Sequence, residues 1–290
     1  MGLISDALNE WLKPVLTDGI ISNLESLFTA VNSELESVTT MIGKTPQEWN
    51  GGIYSTVKSI SDAVILPAAG VVIAAVMAME LIQMILEKNN QQDMDIWMIF
   101  KWIARSFFAV TLVSKSWDIV MGIFDWGKYM VTGVTGLLGG STAIDVADSL
   151  PGMMLALQSE SLGALFGLYL LSFLIKVSGL AIAIFIFIVI FGRIIEIYMV
   201  TSVAPLTLAT TFNRSWGNIG TNYLRLLLSL ALQALLIMVA IAIYIALIQD
   251  LPKAGEDVAL WMVKIVGYTA MLCVSLSKTG SLAKSLLGAH

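Results

Sequence analysis

Residues 162–192 read LGALFGLYLLSFLIKVSGLAIAIFIFIVIFG, a run of 31 residues with a single charge, Lys176. At 1.5 Å per helical residue it extends about 46 Å, more than the ~30 Å hydrocarbon core of a bilayer. A second run, residues 226–248 (LLLSLALQALLIMVAIAIYIALI), has 23 residues and no charge. Between the two stand Arg193 and Glu196, an apolar segment broken by Pro205, and a polar knot from Asn213 to Asn218. No soluble core uses two such helices in succession. The chain reads as an all-α, polytopic helical membrane protein.

Composition agrees. The 290 residues are 57% hydrophobic and 13% charged, against roughly 25% charged in soluble domains. The single Cys273 excludes a disulfide framework, and the single His290 excludes histidine metal sites and the usual hydrolase triads. A net charge of −5 argues against stable nucleic-acid binding, which needs clustered Lys and Arg. The first residues lack a basic region followed by an apolar one, so no cleavable signal peptide is expected and the first span directs insertion.

Outward from the long run, five spans are expected, near 63–86, 96–120, 162–192, 226–248 and 258–276. Together they make a membrane domain of residues 62–276. The second span carries Lys101, Arg105 and Lys115, with Trp97, Trp102 and Trp117 spaced like an interfacial belt. Residues 121–138 hold Asp125 and Lys128 and lead into Gly133, Gly136, Gly139 and Gly140. They fit an interfacial or re-entrant segment better than a sixth span.

Residues 1–61 read as an extracytoplasmic helical segment. Ile21, Leu24, Phe28, Val31, Leu35 and Val38 step by threes and fours, a helical seam closed by Gly43 and Pro46. The seam packs on its own chain, lies on the membrane surface, or joins copies in an oligomer.

Charge orients this map. Residues 1–61 carry seven acidic and three basic residues, 116–161 five and one, and 249–257 three and one. All three segments fall on one side. The other side has Arg193, Arg214 and Arg225 against Glu196, and the tail 277–290 has Lys278 and Lys284 against no acid. Basic residues mark the cytoplasm. The N-terminus is expected outside and the tail inside; a sixth span would break this parity.

Three charges lie within spans: Glu80, Lys176 and Lys264. An intramembrane charge is a functional candidate by default. Lys176 either snorkels or pairs with Glu80 as a structural bond, or it lines an aqueous path. Glu80 and Lys264 are near enough to span ends to snorkel. Gly163 and Gly167 form a small-xxx-small spacing that allows close helix contact. The chain has no phosphate-binding loop, dinucleotide fingerprint or zinc motif, so neither catalysis nor a cofactor is expected.

The segment around Pro205 carries a resemblance. Ser202-Val203-Ala204-Pro205-Leu206-Thr207-Leu208-Ala209, then Phe212, Arg214, Trp216, Tyr223-Leu224 and Gln233, is similar to the TrbL-like polytopic inner-membrane component of type IV secretion systems. There an Ala-Pro-Leu segment follows a long span and precedes a short basic turn with an aromatic residue. The resemblance is read over residues 160–276. It implies a five-span protein of the bacterial inner membrane, N-out and C-in, with several copies around a path for DNA or protein. Its implied partners are membrane lipids, copies of itself, other secretion subunits including separate ATPases, and the transported polymer in passing. The Ala204-Pro205-Leu206 motif would interrupt the helix, with the break falling within 194–212. The alternative is a self-sufficient small-solute transporter or channel. Such folds usually carry paired broken helices in internal repeats, and this chain has one broken segment.

Overall fold

The protein is described by a computed structural model over residues 2–87, 96–138, 144, 150–213, 216–251 and 257–289, with backbone alone for 2–10, 150 and 151. Gly139, Gly140, Asp145, Asp148, Arg214, Lys253, His290 and most of the polar turn after Glu87 lie outside the described residues. The described residues are helical, without strands. The order is α1 (Gly2–Ile42), α2 (Pro46–Trp49), α3 (Gly51–Ile60), a π-helical turn (Ser61–Ile65) and α4 (Leu66–Glu87). Then follow α5 (Ile96–Ser114), α6 (Ser116–Leu137), α7 (Leu150–Ser159), α8 (Leu162–Ser202), α9 (Ala204–Leu208), α10 (Gly217–Gln249) and α11 (Val258–Leu287).

Five helical stretches are long and apolar enough to cross a membrane: Gly51–Leu86, Ile96–Ser114, Leu162–Ser202, Gly217–Gln249 and Val258–Leu287. Their number matches the expectation, but several bounds differ. The first helical stretch begins at Gly51, not Ala63, so Pro67 lies inside a helix and not in its opening turns. Proline lacks an N–H and its ring crowds the carbonyl four residues back. The widened turn just before it relieves that crowding, with the Leu66 N–H bonding to the Ser61 carbonyl. The second stretch ends at Ser114, where the chain turns at Lys115 into α6. Trp117 therefore belongs to α6, and its Nε1 donates to the Tyr54 hydroxyl at 2.8 Å. Helix α6 is not among the five. It buries Val120, Phe124, Gly127 and Val131 along one face and exposes Asp118 and Asp125.

The chain divides into two compact units. One comprises Met1–Met41, Gly133–Phe191 and Leu236–Thr279. Here α1 lies against α8. Asn23 Nδ2 donates to Ser172 Oγ at 3.1 Å, Gly19 lies under the Tyr169 ring, and Gly179 leaves room for Leu27. A side chain at either glycine would displace the Tyr169 ring or the Leu27 side chain. The seam residues Leu24, Phe28, Val31, Leu35 and Val38 are buried within the chain, and Ile21 is half-buried. Asn32 pairs with the backbone of Ile144 at 3.0 and 2.9 Å. Helices α10 and α11 are joined by Tyr244 and Thr269 hydroxyls 3.0 Å apart.

The other unit comprises Ile42–Thr132, Gly192–Leu235 and Gly280–His290. Its entrance is fixed by local capping. Thr45 and Glu48 form a capping box around Pro46, and Asn50 Oδ1 accepts from the N–H groups of Gly52 and Ile53 at 3.0 Å. Tyr198 donates its hydroxyl to the Pro46 carbonyl at 2.6 Å. Lys128 Nζ meets Glu48 Oε1 at 2.6 Å, and this contact, with the Thr45 N–H, holds the Glu48 carboxyl below its ordinary range.

A carboxyl lowered by folding stabilises the fold above its unfolded pKa, and the contribution disappears as pH falls through the folded one. The pair is half-exposed, so its worth is below about 1 kcal/mol. Lys128→Met should raise the Glu48 titration midpoint toward the ordinary carboxyl value, read by NMR of glutamate-labelled protein. An unmoved midpoint would show that Lys128 does not hold the carboxylate.

Candidate functional site

The site follows from what ends α8. Residues 194–202 continue the helix, so the interruption expected within 194–212 falls at Val203, whose φ of −94° and ψ of 8° lie outside the α basin. Ala204 restarts a helix of five residues with Pro205 in its first turn, where a missing N–H costs nothing. The proline has no N–H to offer the preceding turn, and around the break side chains supplement the backbone. The Tyr223 hydroxyl donates to the Val200 carbonyl at 2.9 Å, and the Val203 carbonyl, which accepts from the Thr207 N–H, also lies 3.2 Å from Thr207 Oγ1. Freed backbone is thus met by protein, as apolar surroundings require.

The short helix is enclosed. Ala204 and Leu208 pack with Val120 and Phe124 of α6, Ile197 of α8, and Tyr223, Leu227 and Leu230 of α10. Ala209 packs with Ala69, Ile73, Val76 and Met77 of α4 and with Ala109 and Val113 of α5. Pro205 is buried and Leu206 half-buried. The chain then turns tightly. Asn213 Oδ1 accepts from the Trp216 N–H at 3.0 Å. The Thr211 carbonyl comes within 3.0 Å of where a Cβ on Gly217 would stand, so a side chain there would press on the turn.

A polar line joins the C-terminal parts of α8 and α11 to the middle of α10 in the same unit. Arg193 is buried, and its Nη2 donates to the Leu230 carbonyl at 3.0 Å. One turn on, Glu196 pairs with Lys284 at 2.8 Å. Gln233 is buried beside Gly280, where a Cβ would lie 3.1 Å from its Nε2. These groups tie three helices together. They contain no nucleophile beside a base, and among the described residues no cluster of His, Cys, Asp and Glu could hold a metal.

The in-span charges are dispersed. Glu80 is 1% exposed and pairs with Arg105 of α5, so its ionic partner is not Lys176. Beside it Trp102 Nε1 donates to the Met77 carbonyl at 3.1 Å. Lys176 and Lys264 are half-buried, and neither forms an ion pair among the described residues. Gly163 and Gly167 are exposed, and a Cβ at either would meet nothing within 4 Å; they bring no helices together among the described residues. Sequence reasoning used Arg193 only to orient the chain and missed Arg105 and Gly280. The signal for Arg193 was its i, i+3 spacing to Glu196 at the end of a long apolar run.

A family model described as TrbL/VirB6 plasmid conjugal transfer like protein matches residues 31–205, more than half of the chain. The match begins within α1 and ends at Pro205. It therefore covers a different extent from the 160–276 expected, and the stretch beyond Pro205 lies outside it. No curated protein and no solved structure matches.

Proposed function

Because the chain belongs to the TrbL/VirB6 plasmid conjugal transfer-like family, we propose that it is a scaffold and channel subunit of a conjugative type IV secretion complex. Membership makes it a component of conjugal transfer that associates with other subunits of that machinery, and the family is structural rather than enzymatic. Several copies sit in the inner membrane around a path for DNA or protein, and separate ATPases supply the energy. The observation that carries this reading is the family match together with five apolar helices. The enclosed break at Pro205 supports it, because irregular backbone at membrane depth is tolerated where protein or water meets it.

Deleting the gene from its element should abolish transfer, and the intact gene in trans should restore it. Pro205→Ala should reduce transfer more than it reduces membrane insertion. The purified protein should run as a homo-oligomer of more than two subunits in native mass spectrometry from mild detergent. A monomer that moves small solutes across liposomes unaided would sink the proposal.

The charge asymmetry supports a cytoplasmic tail and an extracytoplasmic start of α8. In a Cys273→Ser background, Ser159→Cys and Asp250→Cys should react with an impermeant maleimide on intact cells. Ser285→Cys should react only after permeabilisation; reaction in intact cells would invert the map.

A further inference from the structure

Helix α1 has two contrasting faces. Its apolar face is covered by the chain, as described above. Its outer face presents Asp18, Ser22, Glu25, Thr29, Ser33 and Glu36, all exposed and spaced by fours and threes as one stripe. Beside it, α8 exposes Phe166, Leu170, Phe173, Val177, Leu180 and Ile184. One helix offers an outer face suited to lipid; its neighbour offers carboxylates and hydroxyls.

The two helices run parallel and in step. Gly19 meets Tyr169, Asn23 meets Ser172 and Leu27 meets Gly179 in one compact unit. In the other, the carbonyl of Pro46 meets the Tyr198 hydroxyl. Ser172 and Gly179 flank the midpoint of the 31-residue apolar run. Whatever depth α8 has in the membrane, residues 19–27 share it.

We propose that α1 lies at membrane depth and that its acidic and hydroxyl face borders a water-filled path. Such a face against lipid would strand charge in hydrocarbon, where an ionised side chain is costly. Lys176 is a second, independent observation. It falls four residues after Ser172 and three before Gly179, hence on the side of α8 that meets α1. The one charge in the run is thus on the α1 side of α8, off its apolar outer stripe. Parallel packing keeps the N-terminal end of α1 on the side where α8 begins and brings residues 43–50 to the side where α8 ends. This replaces a wholly extracytoplasmic residues 1–61 with a helix that traverses, and with α8 still beginning outside it requires the segment from α6 to α8 to cross back as well. The inference rests on the proposed function only in making this path the route of transfer.

The test uses the full-length protein with Cys273→Ser in intact cells. Gln47→Cys, an exposed position, should react with impermeant maleimide only after permeabilisation. Ser22→Cys, Thr29→Cys and Ser33→Cys should react with a small cationic methanethiosulfonate roughly 100-fold faster than Phe173→Cys and Val177→Cys, because the reactive species is a hydrated thiolate. Fluorophores at Thr29 and Val177 should be quenched to similar extents by bilayer-centre brominated lipid. Reaction of Gln47→Cys in intact cells, or absence of quenching at Thr29, would overturn the traverse. Stripe cysteines as slow as those on α8 would overturn the path. If placement and reactivity hold while Glu25→Gln with Glu36→Gln leaves transfer unchanged, α1 stays where proposed and only its part in transfer falls.

Discussion

Arg105→Ala should destabilise the protein by about 3 kcal/mol, the lower end of the cost of breaking a buried ion pair. The direction follows from asymmetric burial. The Glu80 side chain is 2% exposed and that of Arg105 is 44%, so removing the arginine strands the carboxylate without its cation. Glu80→Met alone should cost less, because the arginine left behind reaches outward. Glu80→Met with Arg105→Met should recover most of the loss, since well-packed apolar residues can replace a buried pair at little cost. Unfolding by SDS titration of purified protein checks the series. A double variant no better than Arg105→Ala would mean that the pair is not what holds α4 against α5.

The second large effect is expected at the enclosed break. Leu208 is fully buried among residues of α6, α8 and α10, and Leu208→Ala should cost about 2–5 kcal/mol through lost contacts and a residual cavity. Leu206, two positions away and half-buried, should cost less than half as much when cut to alanine. The same pair separates stability from function: Leu208→Ala should depress transfer through abundance, restored by raising expression. Equal losses at the two positions would place the short helix in a looser environment than its contacts imply.

How much of this was legible depended on whether a property is local. The spans 162–192 and 226–248 were legible because one holds a single charge and the other none, which only a membrane explains. Pro205 was legible because proline acts on its own backbone. The partner of Glu80 was not, since Lys101 and Arg105 both lie in the next apolar helix, with Lys115 just past its end, and only packing selects among them. The seam of α1 was visible in its threes and fours, but hydropathy averaged over a window mixes that face with the acidic one. Its registry with α8 depends on Gly19, Asn23 and Gly179, which carry no pattern of their own.

The π-helical turn before Pro67 also has a consequence for phase. In an α-helix each residue advances about 100° around the axis, and a widened turn holds roughly one residue more than an α-turn. Tyr54, upstream, reaches Trp117, while Glu80, downstream, reaches Arg105. Both azimuths are referenced to one axis, and the extra residue sets the offset between them. A chain shortened by one residue within 61–65 would keep its composition, hydropathy and both partners. It would still turn the capped entrance about 100° away from the helix that receives it.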